Sequence, residues 1–239
     1  MSDSFVVVDQ VCKRYGDVLA VDNVSLSIAS GEVYSLVGAN GAGKSTLIKM
    51  LVGITEPGGG RLSIRGEDIS NRAQATRKRL GYLPEELVLY DRLTGREYLE
   101  LVAGLKDVDP GAIQGELGFF ELQAVQSKLV GGYSLGMRKK LGLASAMLGS
   151  PDVLVLDEPL NGLDVEMMRK LRYRIEDERE RGRALLVASH VMSFVERVSC
   201  RVGIMKAGRL VAEGSPADLR AQAAMTDVPF EDVFFHFAG

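Results

Sequence analysis

The feature that most constrains the fold of this 239-residue chain is a glycine-rich segment at residues 38–46, Gly-Ala-Asn-Gly-Ala-Gly-Lys-Ser-Thr. It matches the phosphate-loop pattern G-x-x-x-x-G-K-[ST]. An apolar run of strand length (33–37) precedes it, and a helix-like stretch (45–52) follows it. Glycines let the backbone curl until several N–H groups face one phosphate, and a helix N-terminus favours an anion. The segment therefore predicts a strand–loop–helix unit that binds a nucleotide phosphate.

Two side chains of this loop carry chemistry of their own. We expect the ammonium of Lys44 to reach the β- and γ-phosphates and to act in catalysis, and the hydroxyl of Ser45 to bind Mg²⁺. The predicted nucleotide-binding residues of the loop are Gly38, Asn40, Gly41, Ala42, Gly43, Lys44, Ser45 and Thr46.

A second motif is an apolar run at 153–156 that ends in two acids, Asp157 and Glu158, before Pro159. A buried strand delivers its last residue to the carboxyl edge of the sheet, where α/β proteins bind their ligands. Asp157 is predicted to orient the Mg²⁺ shell, and Glu158 to accept a proton from the water that attacks the γ-phosphate. Taken alone, such a pair is as often a solvated loop, but the phosphate loop favours the functional interpretation.

Apolar runs of strand length recur along the chain, with helix-like stretches between some of them. The runs are 5–8, 24–28, 33–37, 62–64, 153–156, 185–188 and 202–205. Alternation of this kind predicts an α/β fold with a largely parallel core sheet. Short strands dominate residues 5–66 and predict an antiparallel layer beside that sheet. Residues 94–148 lack strand signals and are predicted to be mostly helical.

Composition excludes several classes of protein. The formal net charge is -3, whereas a nucleic-acid binder would more often carry a basic excess. The two cysteines, Cys12 and Cys200, lie far apart and lack metal-site spacing. Residues 1–10 have no basic region and are not expected to be a signal peptide. No apolar run approaches the ~20 residues that span a bilayer, so a partner would have to hold the protein at a membrane.

Residues 133–137, Tyr-Ser-Leu-Gly-Met, lie before the acidic strand and complete a set of motifs. Together these motifs resemble the ABC ATPases over residues 11–214, and most closely the bacterial ABC-2-type export ATPases. The family's signature at this place is L-S-G-G-Q. This chain keeps the serine and the second glycine, but Leu135 and Met137 replace the first glycine and the glutamine.

The resemblance implies an α/β fold built on a P-loop NTPase (RecA-like) core, with an antiparallel β subdomain and an ABC helical subdomain. It implies a single ABC ATPase domain over residues 1–239. Residues of about 5–85 and 150–214 would form the core and the β layer, about 86–149 the helical lobe, and 215–239 a short C-terminal extension.

The resemblance further implies a head-to-tail homodimer that encloses two ATP molecules with Mg²⁺. Ser134 and Gly136 of the signature would contact ATP held by the other subunit, since a hydroxyl and free N–H groups at a helix start bind anions. Asp164, at the end of Leu-Asn-Gly-Leu-Asp, corresponds to the loop that crosses the dimer interface. Without the other motifs, Ser134 would be interpreted as an ordinary N-capping serine.

Three more positions take their roles from the resemblance alone. Tyr15 lies where the family stacks an aromatic ring on adenine, although a tyrosine is more often a packing residue. His190 follows the run 184–189, as does the family's switch histidine near the γ-phosphate, although a lone histidine is more often structural. Glu85 stands where most members have glutamine, and it could bind Mg²⁺ through oxygen while adding negative charge.

The function implied is ATP hydrolysis that drives transport through separate integral-membrane permease subunits, outward, from the cytoplasmic face of the membrane. No nucleic-acid partner is expected. An import subunit and a non-transport ABC ATPase stay as alternatives. Apolar residues at 87–93 are either local core or the cleft that receives a permease helix. Residues 229–239 are expected to form a helix that packs its apolar face, or else a partner contact.

Overall fold

The computed structural model describes residues 4–69 and 78–239. The strands in these residues are β1 (Ser4–Tyr15), β2 (Val18–Ala29), β3 (Val33–Gly38), β4 (Gly59–Ile64), β5 (Glu67–Asp68), β6 (Leu80–Leu83), β7 (Val153–Asp157), β8 (Ala184–Ala188), β9 (Arg201–Lys206) and β10 (Arg209–Gly214). The helices are α1 (Lys44–Leu51), α2 (Gly95–Lys106), α3 (Ala112–Phe119), α4 (Leu135–Met147), α5 (Val165–Glu180), α6 (Met192–Val198), α7 (Pro216–Gln222) and α8 (Phe230–Ala238). Short 3₁₀ turns lie at Gln123–Val125 and Val130–Gly132.

The core is a six-stranded sheet in the order β10-β9-β3-β8-β7-β6. All neighbouring pairs are parallel except β9 and β10. The central strands β7 and β8 are buried along their whole length, because helices cover both faces of a parallel sheet and leave no polar side. The prediction of an α/β fold with a largely parallel sheet is confirmed.

A second sheet of four antiparallel strands, in the order β2-β1-β4-β5, forms the predicted β layer. Helix α1 lies between the two sheets, and its Leu47 and Ile48 share one apolar core with Val8 of the layer and Leu36 of the core sheet. Ile48 is fully buried, and burial of a side chain of this size stabilises the fold by about 1.5–3 kcal/mol. The helix that follows the phosphate loop is therefore fixed from both sides.

The segment predicted to be helical contains α2, α3 and α4, with one isolated β-bridge between Thr94 and Leu129. Thr94 begins α2 with a capping box shared with Glu97. Lys106, at the other end of α2, donates hydrogen bonds to the carbonyls of Ser145 (2.9 Å) and Ala146 (3.2 Å) at the end of α4. A cation there satisfies carbonyls that the helix itself leaves unpaired, so α2 holds the C-terminus of α4.

Helix α4 lies directly against β6, an edge strand that the sequence analysis did not separate from the loop after it. A Cβ placed on Gly81 of β6 would collide with the carbonyl oxygen of Ala146. One placed on Gly142 would lie 2.7 Å from Leu87 and 3.0 Å from Leu83. The two glycines thus permit close approach of helix and strand. These contacts fix the position of α4 along the direction of the strands.

The last helices pack on the outer strands of the core sheet. Helix α8 buries Phe230, Val233 and Phe234 against Ile204 of β9, while Phe235 stays exposed. This arrangement confirms the prediction of a C-terminal helix that packs its apolar face. Among the described residues, no helix combines the length and the apolar character needed to cross a bilayer.

Candidate functional site

The phosphate loop connects the end of β3 to the start of α1. Gly41 and Gly43 adopt left-handed backbone angles, with φ of +80° and +104°, which glycine adopts at little cost. A Cβ on Gly43 would collide with the carbonyl oxygen of Ala20, whereas one on Gly41 would meet no atom within 4 Å. Gly43 is therefore required by packing within the protein, and Gly41 leaves its space open toward the cleft.

Lys44 begins α1, and its Nζ donates to the carbonyl oxygens of Gly38 (2.6 Å) and Ala39 (3.2 Å). These bonds hold the ammonium across the loop. Burial lowers the pKa of Lys44, while the charges of Glu158 and Asp157 oppose that shift. The lysine thus faces both predicted acids from the other side of the cleft.

The two acids lie where the sequence predicts them, at the carboxyl end of β7. Asp157 is only 3% exposed. Burial, with the negative charges of Glu85 and Glu158 as further causes, raises the pKa of Asp157 to about 6. Lys44 and Lys139 act in the opposite direction. This acid would be held ionised by a bound cation, since a positive charge favours the carboxylate form.

Glu158 has a left-handed backbone with φ of +48°, which is uncommon for a residue with a side chain. Its Oε2 lies 2.8 Å from Nδ1 of His190, which follows β8. That oxygen is buried and lacks an aligned hydrogen-bond donor among the described residues. The carboxylate thus lies at the end of β7 beside the His190 ring, at a place where it could accept a proton from a water in the cleft.

Lys44, Asp157 and Glu158 line one open cleft of about 690 Å³, and His190 is not among its lining residues. The predicted site residues that line it are Asn40, Gly41, Ala42, Gly43, Lys44, Ser45, Thr46, Glu85, Asp157 and Glu158. Gly38 lies just behind the loop as the last residue of β3. The structure therefore brings together the phosphate loop, the acidic end of β7 and Glu85, which lies two residues after β6.

The donors of the cleft fit a magnesium ion that arrives with a nucleotide. Among the described residues there is no group of three His, Cys, Asp or Glu side chains that could hold a metal by itself. The cleft instead offers the hydroxyl of Ser45 and the carboxylates of Asp157 and Glu85. Mg²⁺ prefers oxygen ligands and is commonly held by one or two carboxylates together with substrate phosphates.

Tyr15 lies at the end of β1 with 48% of its surface exposed, and Nζ of Lys13 is 5.4 Å from its ring centroid. The ring is not among the cleft-lining groups, but Val18 and Leu19, which follow it after a tight turn, are. An exposed aromatic ring beside the mouth of the cleft is available for stacking on a base.

Besides Tyr15 and His190, three further predicted residues lie outside the cleft of their own chain, Ser134, Gly136 and Asp164. Ser134 caps α4 and accepts a hydrogen bond from the backbone N–H of Met137 at 3.2 Å. Asp164 caps α5 and accepts from the N–H of Met167 at 2.8 Å. A Cβ on Gly136 would lie 2.9 Å from the carbonyl oxygen of Gly162, so the signature packs on the loop before α5. Ser134 and Asp164 are both exposed.

The sequence analysis missed several groups at the cleft. Ala20 in β2, and Ala207 and Gly208 between β9 and β10, line its wall. Their residue types carry no chemical signal, and only the pairing of the strands brings them there. Lys139 in α4 also acts on the acidic strand end, since its charge lowers the pKa of Asp157, and in the sequence it is one of three consecutive basic residues that no pattern distinguishes.

Comparisons with known proteins agree with this geometry. The family model of the ABC transporter matches residues 21–161. The Nod factor export ATP-binding protein I of Burkholderia thailandensis is 40% identical over 223 residues, which are 92% of this chain and 73% of that protein. The daunorubicin resistance ATP-binding protein DrrA3 of Streptomyces coeruleorubidus is 34% identical over 226 residues, 93% of this chain and 72% of that protein.

A solved structure of an ATP-binding subunit of an ABC transporter superimposes with a TM-score of 0.94 at 28% identity, covering 99% of this chain and 100% of that one. The similarity thus extends well beyond the phosphate loop and includes the helical segment and the last helices. The chain belongs to the ABC transporter family, as an ATP-binding and ATP-hydrolysing subunit.

Proposed function

We propose that this protein hydrolyses ATP at the cleft between α1 and the end of β7, and that it drives export through separate permease subunits. The observation that carries the proposal is the meeting of Lys44, Ser45, Asp157 and Glu158 around one open cleft. The relatives described above are named for Nod factor export and daunorubicin resistance, which favours export over import. Neither name identifies the cargo of this chain.

In this proposal the loop N–H groups and Lys44 bind the phosphates of ATP. Lys44 would exchange its bonds to the carbonyls of Gly38 and Ala39 for bonds to phosphate oxygens. Ser45 and Asp157 would hold Mg²⁺, with Glu85 as a further oxygen donor, and the ion would neutralise charge on the phosphates. Tyr15 would stack on the adenine at the mouth of the cleft.

Glu158 is proposed as the general base that takes a proton from the attacking water. His190, 2.8 Å away, would orient this carboxylate and contact the γ-phosphate. A water activated in this way attacks the phosphorus in line with the leaving oxygen of ADP, so that the proton passes to Glu158 and phosphate is released.

The proposed working form is a head-to-tail homodimer. Ser134, Gly136 and Asp164 lie outside the cleft of their own chain, although the resemblance assigns them to nucleotide contact. A second copy would bring the Ser134 end of its α4 against the nucleotide bound by Lys44 of the first. Ser134 and Asp164 are exposed and available for such a contact.

Mixing two inactive variants tests the dimer. Ser134→Arg blocks the signature and Lys44→Ala removes the phosphate contact, so each variant alone should hydrolyse little ATP. A mixed dimer contains one site that combines an intact Lys44 with an intact Ser134, and ATPase activity should reappear on mixing. Activity no higher than that of either variant, with mixed dimers demonstrated by cross-linking, would contradict the proposal.

The proposed partner is an integral-membrane permease that holds the protein at the cytoplasmic face of the membrane. Of the apolar residues after Glu85, Leu89 is buried, whereas Val88 and Tyr90 are 92% and 65% exposed. The burial of Leu89 means that it serves the core of the helical segment. The two exposed side chains are available to line a groove for a permease helix, as helix-in-groove docking requires.

Charge substitutions at the exposed positions test this contact. Tyr90→Glu combined with Val88→Glu should release the protein from membranes of cells that contain its native partner, while soluble ATPase activity persists. Leu105→Glu is the matched control, because Leu105 is 69% exposed but lies at the far end of α2. Unchanged membrane association of the folded double variant would remove the docking hypothesis and favour a non-transport ABC ATPase.

A further inference from the structure

Lys139 occupies an unusual position for a lysine. It lies in the first turns of α4 and is only 4% exposed. Its neighbours in sequence are both paired, Arg138 with Asp91 at 2.7 Å and Lys140 with Glu121 at 2.9 Å. Within the described residues, Lys139 has no carboxylate oxygen within 4 Å of its ammonium. Lysine is seldom buried unless something offsets its charge, so its surroundings need an explanation.

The packing of α4 on β6 gives the height of Lys139 along the sheet. Ala146 lies against Gly81 and Gly142 against Leu83, so the helix runs opposite to the strand. Lys139 is three residues before Gly142, about 4.5 Å further along the helix, which equals about one and a half residues of strand. It is therefore level with residues 84–85, just past the end of β6.

The register between β6 and β7 shows which residues of β7 lie level with Lys139. Leu83 of β6 pairs with Leu156 of β7, so a group level with residues 84–85 is also level with Asp157 and Glu158. Burial lowers the pKa of Lys139, and the charges of Asp157, Glu158 and Glu85 oppose that shift. The same three carboxylates oppose the shift of Lys44. The same three carboxylates thus act on two ammonium groups, that of Lys44 in α1 and that of Lys139 in α4.

We propose that Lys139 is a positioning residue of the ATPase site, whose ammonium offsets the carboxylate charge at the end of β7 and so sets how strongly the site binds Mg²⁺ and nucleotide. This inference rests on the proposed function of the cleft. The role matters more here because position 85, where most of the family has glutamine, is an acid in this chain. Lys139 would balance that additional negative charge from the helical side.

Neutralising Lys139 should shift metal and nucleotide binding in opposite directions. With one cation removed, the more negative cleft should bind Mg²⁺ more tightly, and the Mg²⁺ concentration that half-saturates binding of a fluorescent ADP analogue should fall by roughly tenfold. In EDTA, the same analogue without metal should bind about tenfold more weakly, because the site repels its phosphates. Both titrations are made on the full chain at pH 8, where Asp157 is ionised.

The variants are Lys139→Gln and Lys139→Met, the second keeping an unbranched side chain in case the first does not fold. Lys139→Arg keeps the charge and should restore both binding constants to within about twofold of the unmodified protein. Arg138→Gln is the matched control, since it removes one charge from the preceding position of α4, where the side chain pairs with Asp91. It should leave the Mg²⁺ dependence unchanged.

The possible outcomes separate this inference from the function on which it rests. Failure of the unmodified protein to bind the ADP analogue with Mg²⁺ would overturn both. Normal binding by that protein, with an unchanged Mg²⁺ dependence in a folded neutral variant, would overturn the role of Lys139 alone. Weaker binding of both Mg²⁺ and the metal-free analogue would also overturn it, because a loss of both affinities indicates a general loosening of the site. Stronger binding of both would contradict it as well.

Discussion

Replacing Glu158 by glutamine removes the ability of this side chain to accept a proton, together with one negative charge, and keeps its shape. Glutamine has the same shape as glutamate, and the backbone of residue 158, with its N–H bonded to the carbonyl of Ala188 at 2.9 Å, stays as it is. The left-handed φ of +48° is as accessible to glutamine as to glutamate. The variant should therefore fold and still bind MgATP, because the loss of one negative charge weakens the binding of Mg²⁺ while it favours the binding of the phosphates.

The expected loss of rate follows from the role proposed for the carboxylate. A positioned general base contributes typically ~10²–10⁴-fold, which corresponds to about 2.7–5.4 kcal/mol of activation free energy. The free energy of unfolding should change by less than about 1 kcal/mol, because a buried oxygen with an unaligned donor is replaced by a neutral amide of equal size. Slow turnover should also let the ATP-bound dimer accumulate.

Steady-state ATPase measurements on purified protein, with size-exclusion chromatography in ATP, test both expectations. Glu86→Gln is the matched control, because Glu86 is an exposed acid that does not line the cleft. Its rate should stay within about twofold of the unmodified protein. Near-normal turnover of the Glu158 variant would refute the assignment of this residue as the base.

Three further predictions concern binding. Tyr15→Ala should weaken ATP binding by about 1–3 kcal/mol, while Tyr15→Phe retains it; equal affinities in a fluorescence titration would place the adenine contact elsewhere. Gly41→Ala and Gly66→Ala impose the same strain, since their φ values are +80° and +78° and neither new Cβ meets an atom within 4 Å. Each substitution should lower the free energy of unfolding by about 1–2 kcal/mol, measured by denaturant unfolding. Only Gly41→Ala should also lose nucleotide binding. Equal nucleotide binding by the two variants would contradict the assigned phosphate position. Because the pKa of Asp157 is raised to about 6, protons compete with Mg²⁺ there, and apparent Mg²⁺ affinity should fall about tenfold between pH 8 and pH 5; a constant affinity would argue against Asp157 as a metal ligand.

Much of this site could be predicted because its signals are local. Residues 38–46 contain both the glycines that shape the loop and the lysine and serine that act in it. Likewise, an apolar run predicts a buried strand such as β7, and the last residue of that strand lies at the carboxyl edge of a parallel sheet. Each half of the cleft, the phosphate loop and the acidic end of β7, is therefore encoded by one contiguous segment. The alternation of strands and helices predicts that the two segments lie at the same edge of the sheet.

What the sequence could not show depends on contacts between distant segments. Leu89 and Tyr90 are adjacent and both hydrophobic, yet one is buried and the other 65% exposed, because only the packing of the helical segment decides which side faces inward. The same holds for Lys139, which is indistinguishable by pattern from Arg138 and Lys140. Its place beside the acids follows from two glycines, Gly81 and Gly142, that let α4 approach β6.

The position of Ser134 decides which measurements can reveal a second copy. Four residues proposed to hold phosphate and metal line the cleft of a single chain, namely Lys44, Ser45, Glu85 and Asp157. The affinity for ADP should therefore not depend on a second copy. Ser134 lies outside that cleft, and in the proposed dimer it would act on a nucleotide held by the other copy. Variants of Ser134 should therefore spare ADP binding and lose hydrolysis, whereas Gly41 variants should lose both. A Ser134 variant that lost ADP binding as a dilute monomer would contradict this division of the site.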